Sequence, residues 1–184
     1  MKYTIVFPIP VSQKDEFTYL IPTGLYRDVA THSKFTTVRM LCMTGTNPLD
    51  PDMVELDMRK HPKLSVRLLP YKGGLKSALM NYSRLWSILS EEACHSDVWH
   101  TGCSISMWDL SRLGYQVGRR HAAGLRVYCL DSDPVSMLRE SGRWGNLRAG
   151  RVWRTTLQRI KECDLTILNG QGVVKTYAPY TKRH

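Results

Sequence analysis

Two carboxylates and a histidine stand where short apolar runs give out. Leu125–Leu130 is apolar on both faces, as a central parallel strand should be, and it runs into Asp131 and Asp133. His100 closes the run Asp97-Val98-Trp99-His100, and Gly102 follows two residues on. A carboxylate at a strand end can accept a hydrogen bond from a hydroxyl, or stabilise positive charge that develops in a transition state. A histidine there can exchange a proton or hold a hydrogen bond. A glycine beside it lets a ligand approach the backbone. Further on, Arg139, Arg143 and Arg148 could clamp a phosphate, and Trp144 could stack on a sugar or a base. Plainer roles compete. Asp133 before Pro134 is a helix cap with proline at the first helical position. Asp131 could simply end its strand, and His100 could be a strand histidine satisfied by a carbonyl. Most of the other arginines in this half, including Arg112, Arg119, Arg120 and Arg159, read as solvated helix faces.

Six apolar runs position these groups: Tyr3–Phe7, Thr37–Met43, Leu64–Leu69, Asp97–Thr101, Leu125–Leu130 and Asp164–Asn169. Pro8 and Pro10 take the chain out of the sheet into a long loop that reaches Pro22. Helical patterns follow at Gly24–His32 and, as a short piece, Pro51–Arg59. The clearest helix opens at Leu75. Leu75, Ala78, Leu79, Tyr82, Leu85, Trp86, Leu89 and Ala93 recur at steps of three and four, which predicts a buried stripe. Ser106–Asp109 fits a capping box for a helix that runs to about His121. Pro134–Glu140 and Val152–Cys163 are helical, and Ser141–Gly150, with glycines at 142, 145 and 150, reads as a mobile loop. Strands that alternate with helices predict a parallel sheet with helices on both faces. Ligands of such sheets bind outside the carboxyl ends of the strands, where His100, Asp131 and Asp133 fall.

The chain has 184 residues and a net charge of +10, enough for one domain with a real core and a preference for acidic partners. Five cysteines form no C-x-x-C pair and read as reduced thiols of a cytosolic protein. The N-terminus lacks the apolar length of a signal peptide, and no run approaches the ~20 residues of a membrane span. No zinc spacing, P-loop or G-x-S-x-G is present, so no metal or cofactor is expected. Asn169-Gly170-Gln171-Gly172 lies between a strand and a helix, but Lys175 stands where a dinucleotide fingerprint needs its third glycine.

The order and spacing of three stretches resemble a known family. Asp97–Gly114, Gly124–Pro134 and Cys163–Tyr177 look like the N-terminal half of a retaining GT-B glycosyltransferase of the family-4 type. Asp97-Val98-Trp99-His100 matches that family's "aspartate, apolar, apolar, histidine" strand. Cys163–Asn169 matches its last strand before the crossover, with Asn169 where serine is usual. Where many members carry an acceptor-side histidine, this chain has Asp131.

The resemblance implies a Rossmann-like three-layer α/β/α domain over 1–184, with a mainly parallel sheet, and a donor-binding C-terminal domain that lies outside this chain. It implies a sugar moved from a nucleotide-sugar donor to a sugar, phosphorylated or lipid-linked acceptor. Asp131 and His100 would be the catalytic groups. Gly102, Asp133, Arg139, Arg143 and Trp144 would hold the acceptor, with peripheral contact to anionic membrane. The chain alone would be inactive. The competing reading is a stand-alone Rossmann-like or flavodoxin-like module for a phosphorylated small molecule. Nucleic acid, suggested by net charge alone, is not expected as a partner.

Overall fold

Strand β1 (Lys2–Gln13) is the spine of the sheet. The computed structural model describes residues 1–45, 52–104 and 108–181. On one side β1 pairs in parallel with β3 (Thr37–Thr44), and β3 with β5 (Leu64–Leu69). On the other side it pairs in parallel with β6 (Val98–Gly102), which pairs with β7 (Leu125–Leu130) and then β8 (Leu165–Leu168). The parallel order is therefore β5-β3-β1-β6-β7-β8. The chain is α/β with a mostly parallel sheet, as its alternation predicts.

Three strands correct the sequence reading. β1 does not leave the sheet at Pro8; it continues to Gln13 past an irregularity between Phe7 and Pro10. Pairing with β6 ends at Val6, so from there one side of β1 is an edge, where proline's missing N–H is tolerated. The expected long loop contains β2 (Thr18–Pro22), and the expected helix near Pro51 is β4 (Met53–Asp57). These two pair antiparallel, and β2 also pairs with the far end of β1. Their period is two: Ile21 and Leu56 point inward and are fully buried. Residues 46–51, and residues 105–107 at the proposed capping box, lie outside the described residues. The helix cap that is described is Asp109, which accepts from Ser111 N at 2.9 Å.

Helix α1 (Thr23–Phe35) covers one face of the sheet, where Leu25 and Val29 meet Ile5, Val38 and Met40. The other face carries α2 (Gly74–Cys94) and α3 (Leu110–His121), with Ala78, Leu85, Leu89 and Val117 against Val6, Leu41 and Trp99. The α2 stripe is narrower than its apolar pattern. Ala78, Leu85, Leu89 and Ala93 are buried, whereas Leu75, Leu79 and Tyr82 are exposed. The stripe that meets the sheet advances by seven and four residues, and the residues flanking it face away from the sheet.

Two glycines seat α3. Trp99 donates its indole N–H to the Gly114 carbonyl at 2.9 Å, and a Cβ on Gly118 would sit 2.3 Å from Trp99 Cδ1. Gly118→Ala should therefore cost about 2–3 kcal/mol through overpacking. Gly150→Ala, where a Cβ meets nothing within 4 Å, should be neutral or slightly stabilising. Urea unfolding of the two variants checks this; equal behaviour would refute the seating role.

The stretch read as a mobile loop is helical. After α4 (Pro134–Glu140), Gly142 turns the chain at φ 92°, and α5 (Arg143–Glu162) starts at once. Gly145 and Ala149 are buried, and a Cβ on Gly145 would fall 1.7 Å from the Leu138 carbonyl oxygen. The glycines that suggested flexibility let α5 close on α4. Helix α6 (Gln171–Tyr177) completes the chain, with Val173 and Tyr177 in a cluster with Tyr128, Leu130 and Ile160.

A buried carboxylate fastens the amino end of the sheet. Glu92 of α2, 2% exposed, receives Lys2 of β1 at 3.0 Å, Arg39 of β3 at 2.6 Å and Arg67 of β5 at 2.7 Å. Asp97 and Asp164, the acids that open the β6 and β8 motifs, set register. Asp97 Oδ2 accepts Lys2 N at 2.6 Å, and Asp164 Oδ2 accepts Arg126 N at 2.9 Å.

Candidate functional site

The face of the sheet that α1 covers on the β1 side carries a run of polar groups across β1, β6 and β7. Tyr3 and His100 point the same way because Ile5 pairs with His100 and side chains alternate along each strand. Tyr3 Oη lies 3.0 Å from His100 Nδ1, and the two rings meet edge to face at 5.8 Å. His32 of α1 stacks on Tyr3 at 5.3 Å. Beyond His100, at the carboxyl end of β7, Asp131 Oδ1 accepts Asn169 Nδ2 at 2.6 Å and the Cys129 thiol at 3.1 Å. Asp131 is exposed, and no backbone amide of the described residues is recorded donating to it.

Burial holds the imidazole, the phenol and the thiol neutral. The His100 imidazole is pushed down to about 4, first by burial, which the Asp131 charge opposes and His32 reinforces. The Tyr3 phenol is pushed up to about 12, by burial and then Cys129. Burial, then Asp131, raises the Cys129 thiol, so it donates a hydrogen bond instead of serving as a nucleophile. The cluster therefore combines one carboxylate side chain, one carboxamide and a neutral imidazole. That donor and acceptor set suits a hydroxyl-rich ligand. Among the described residues no three His, Cys, Asp or Glu side chains gather as metal ligands.

The buried imidazole has a consequence for stability. A histidine whose folded value lies below its unfolded one near 6.5 contributes stability that is complete above that value. The stability is lost as pH falls from 6.5 through about 4. The loss should reach about 3 kcal/mol near the lower limit. His100→Gln should remove that part of the acid sensitivity while leaving the carboxylates' share. Urea titrations at several pH values, read as wild type minus variant, check it; parallel curves would refute it.

The other sequence candidates divide. Asp133 caps α4: Oδ1 accepts Val135 N at 3.0 Å and Tyr177 Oη at 2.6 Å, and Oδ2 accepts Ser136 Oγ at 2.7 Å. Both of its oxygens are engaged by the protein. Gly102 sits at the end of β6, and a Cβ there would make an ordinary 3.7 Å contact with Ser111, so packing does not demand glycine. Arg139, Arg143, Trp144 and Arg148 are all exposed on the α4–α5 hairpin, Trp144 at 80%. They sit on the helical layer. The sequence offers Asn169 only as a motif position and does not mark Tyr3, His32 or Cys129 as site residues. Tyr3 and Cys129 share His100's face by strand alternation, and Asn169 ends the strand beside Asp131, so register supplies the missing signal. No family model matches the chain, and no curated protein or solved structure matches it significantly.

Proposed function

We propose that this chain is the acceptor-binding, Rossmann-like half of a two-domain GT-B sugar transferase. The observation that carries this reading is the hydrogen bond between Asp131 and Asn169 at the carboxyl ends of β7 and β8, on the strands that follow His100 of β6 in the sheet. The parallel order β5-β3-β1-β6-β7-β8 and the motif order of the sequence support it. Asp131 and Asn169 present an acceptor and a donor side by side, the pairing that a sugar's vicinal hydroxyls require. Asp131 would also stabilise the positive charge that develops on a sugar ring as its leaving group departs. His100, neutral, would hold a hydroxyl instead of transferring a full charge. Donor binding falls to a second domain, because transfer needs donor and acceptor fixed together.

The test measures nucleotide-sugar turnover by the pure chain and by the chain joined to whatever follows it in its encoding frame. The expected result is none for the first and transfer for the second. Turnover by the 184-residue chain alone, or a frame with no second βαβ unit, overturns the reading.

An acidic or membrane-borne acceptor follows from the hairpin, where Met137, Trp144 and Leu147 are exposed beside Arg139 and Arg143. Each arginine near anionic lipid adds roughly 1 kcal/mol. Co-sedimentation with anionic vesicles should therefore exceed that with neutral ones and fall in Trp144→Ala; equal binding to both would refute it. No helix of the described residues is long and apolar enough to cross a membrane.

A further inference from the structure

On the opposite face of the sheet from His100, α2, α3 and α5 enclose a trough of about 620 Å³. Four arginines line it: Arg112, Arg119, Arg120 and Arg159. The sequence reads Arg159 as part of a solvated helix face, but only 6% of it is exposed. Its guanidinium lies over the Tyr115 ring at 5.0 Å and the Tyr128 ring at 5.8 Å. No carboxylate of the described residues lies within ion-pair distance of it. The nearest acid on its own helix, Glu162, is committed elsewhere. It receives Arg119 at 3.3 Å, Gln158 at 2.7 Å and the Tyr115 hydroxyl. Arg120 rests on Trp86 at 5.2 Å. Arg112 is held below the usual arginine range by burial and by the like charges of Arg159 and Arg151.

A buried cation with no carboxylate in ion-pair contact is costly to fold, and Arg112 at its side adds a like charge. Planar guanidinium groups bind phosphate oxygens in pairs, and the trough has the volume of a small-molecule site. We propose that this trough binds a small molecule carrying a diphosphate or two neighbouring phosphates, with Arg159 and Arg112 as the inner contacts and Arg119 and Arg120 at the rim. The site is separate from the sugar-binding reading and stands whether or not that reading does.

The test is calorimetric titration with inorganic pyrophosphate at fixed ionic strength. Wild type should bind one equivalent. Arg112→Gln should weaken binding at least tenfold, and Arg159→Met should abolish it while keeping the far-ultraviolet circular dichroism of the native protein. Arg27→Gln with Lys34→Gln, on α1 across the sheet, removes two positive charges and should leave the affinity unchanged. An equal loss in that double variant would mean attraction by net charge and would overturn the site. So would absence of binding at millimolar pyrophosphate. A single-stranded oligonucleotide that binds more tightly and is not displaced by pyrophosphate would overturn it in favour of a nucleic-acid surface.

Discussion

Glu92→Gln is expected to lower unfolding stability by about 3 kcal/mol, the low end of what breaking a buried ion pair costs. The low end applies because its partners are not themselves buried: Lys2, Arg39 and Arg67 are 30–36% exposed and can recover some water. Burial alone would raise the carboxyl of Glu92, but hydrogen bonds from Arg67, Lys2 and Arg39 override it and hold the group below its ordinary value. That stability is present above pH 4.5 and is lost as pH falls through the lowered value. At this chain length the variant should melt roughly 6–12 °C lower. Lys14→Gln, which breaks a pair with Glu55 that is about half exposed on both sides, should cost far less. Thermal and urea unfolding of both variants decide it. A Glu92 loss no larger than the Lys14 loss would reduce the buried cluster to a surface ion pair.

Under the proposed function, Asp131→Asn, made in the chain joined to whatever follows it in its encoding frame, is expected to lower kcat about a hundredfold with little change in stability. Removing one preorganised electrostatic group commonly has that effect. Stability should hold because Asp131 carries no cap: the cap of α4 belongs to Asp133. Its recorded contacts are the Asn169 amide and the Cys129 thiol, and an asparagine can keep at least one of them. Asp133→Asn makes the opposite demand. It weakens the cap and the Tyr177 contact, so it should lower the melting temperature and leave kcat within a few fold. If the two variants exchange behaviours, the assignment of Asp131 to the ligand is wrong.

The parallel strands were legible because each is a short apolar run between turn residues, and Asp133-Pro134 was legible because capping is local chemistry. What escaped the sequence depends on partners. Pro8 and Pro10 forbid a central strand, yet β1 tolerates them because its pairing with β6 stops at Val6. Gly142, Gly145 and Gly150 suggested a loop, whereas Gly145 is a close-packing position under the Leu138 carbonyl. The α2 stripe looked uniformly buried because periodicity marks a face and cannot say how wide a neighbour covers it. At the site, His100 and Asp131 were visible as strand-end residues. Tyr3 lies 97 positions from His100, and only the pairing of β1 with β6 brings them together.

That pairing also sets an order of assembly. β1 is synthesised before the other strands of this sheet, and its β6 neighbour begins at Val98, so one edge of β1 stays open while about a hundred residues are made. At ordinary synthesis rates this interval lasts roughly 5–20 s, long on the time scale of helix and hairpin formation. The fastening of Glu92 to Lys2, Arg39 and Arg67 needs only elements that precede Ser96. The nascent half-sheet β5-β3-β1 can therefore close under α2 before β6 exists, and it carries its own latch. The strands that hold His100 and Asp131 then add one at a time to an edge that is already rigid.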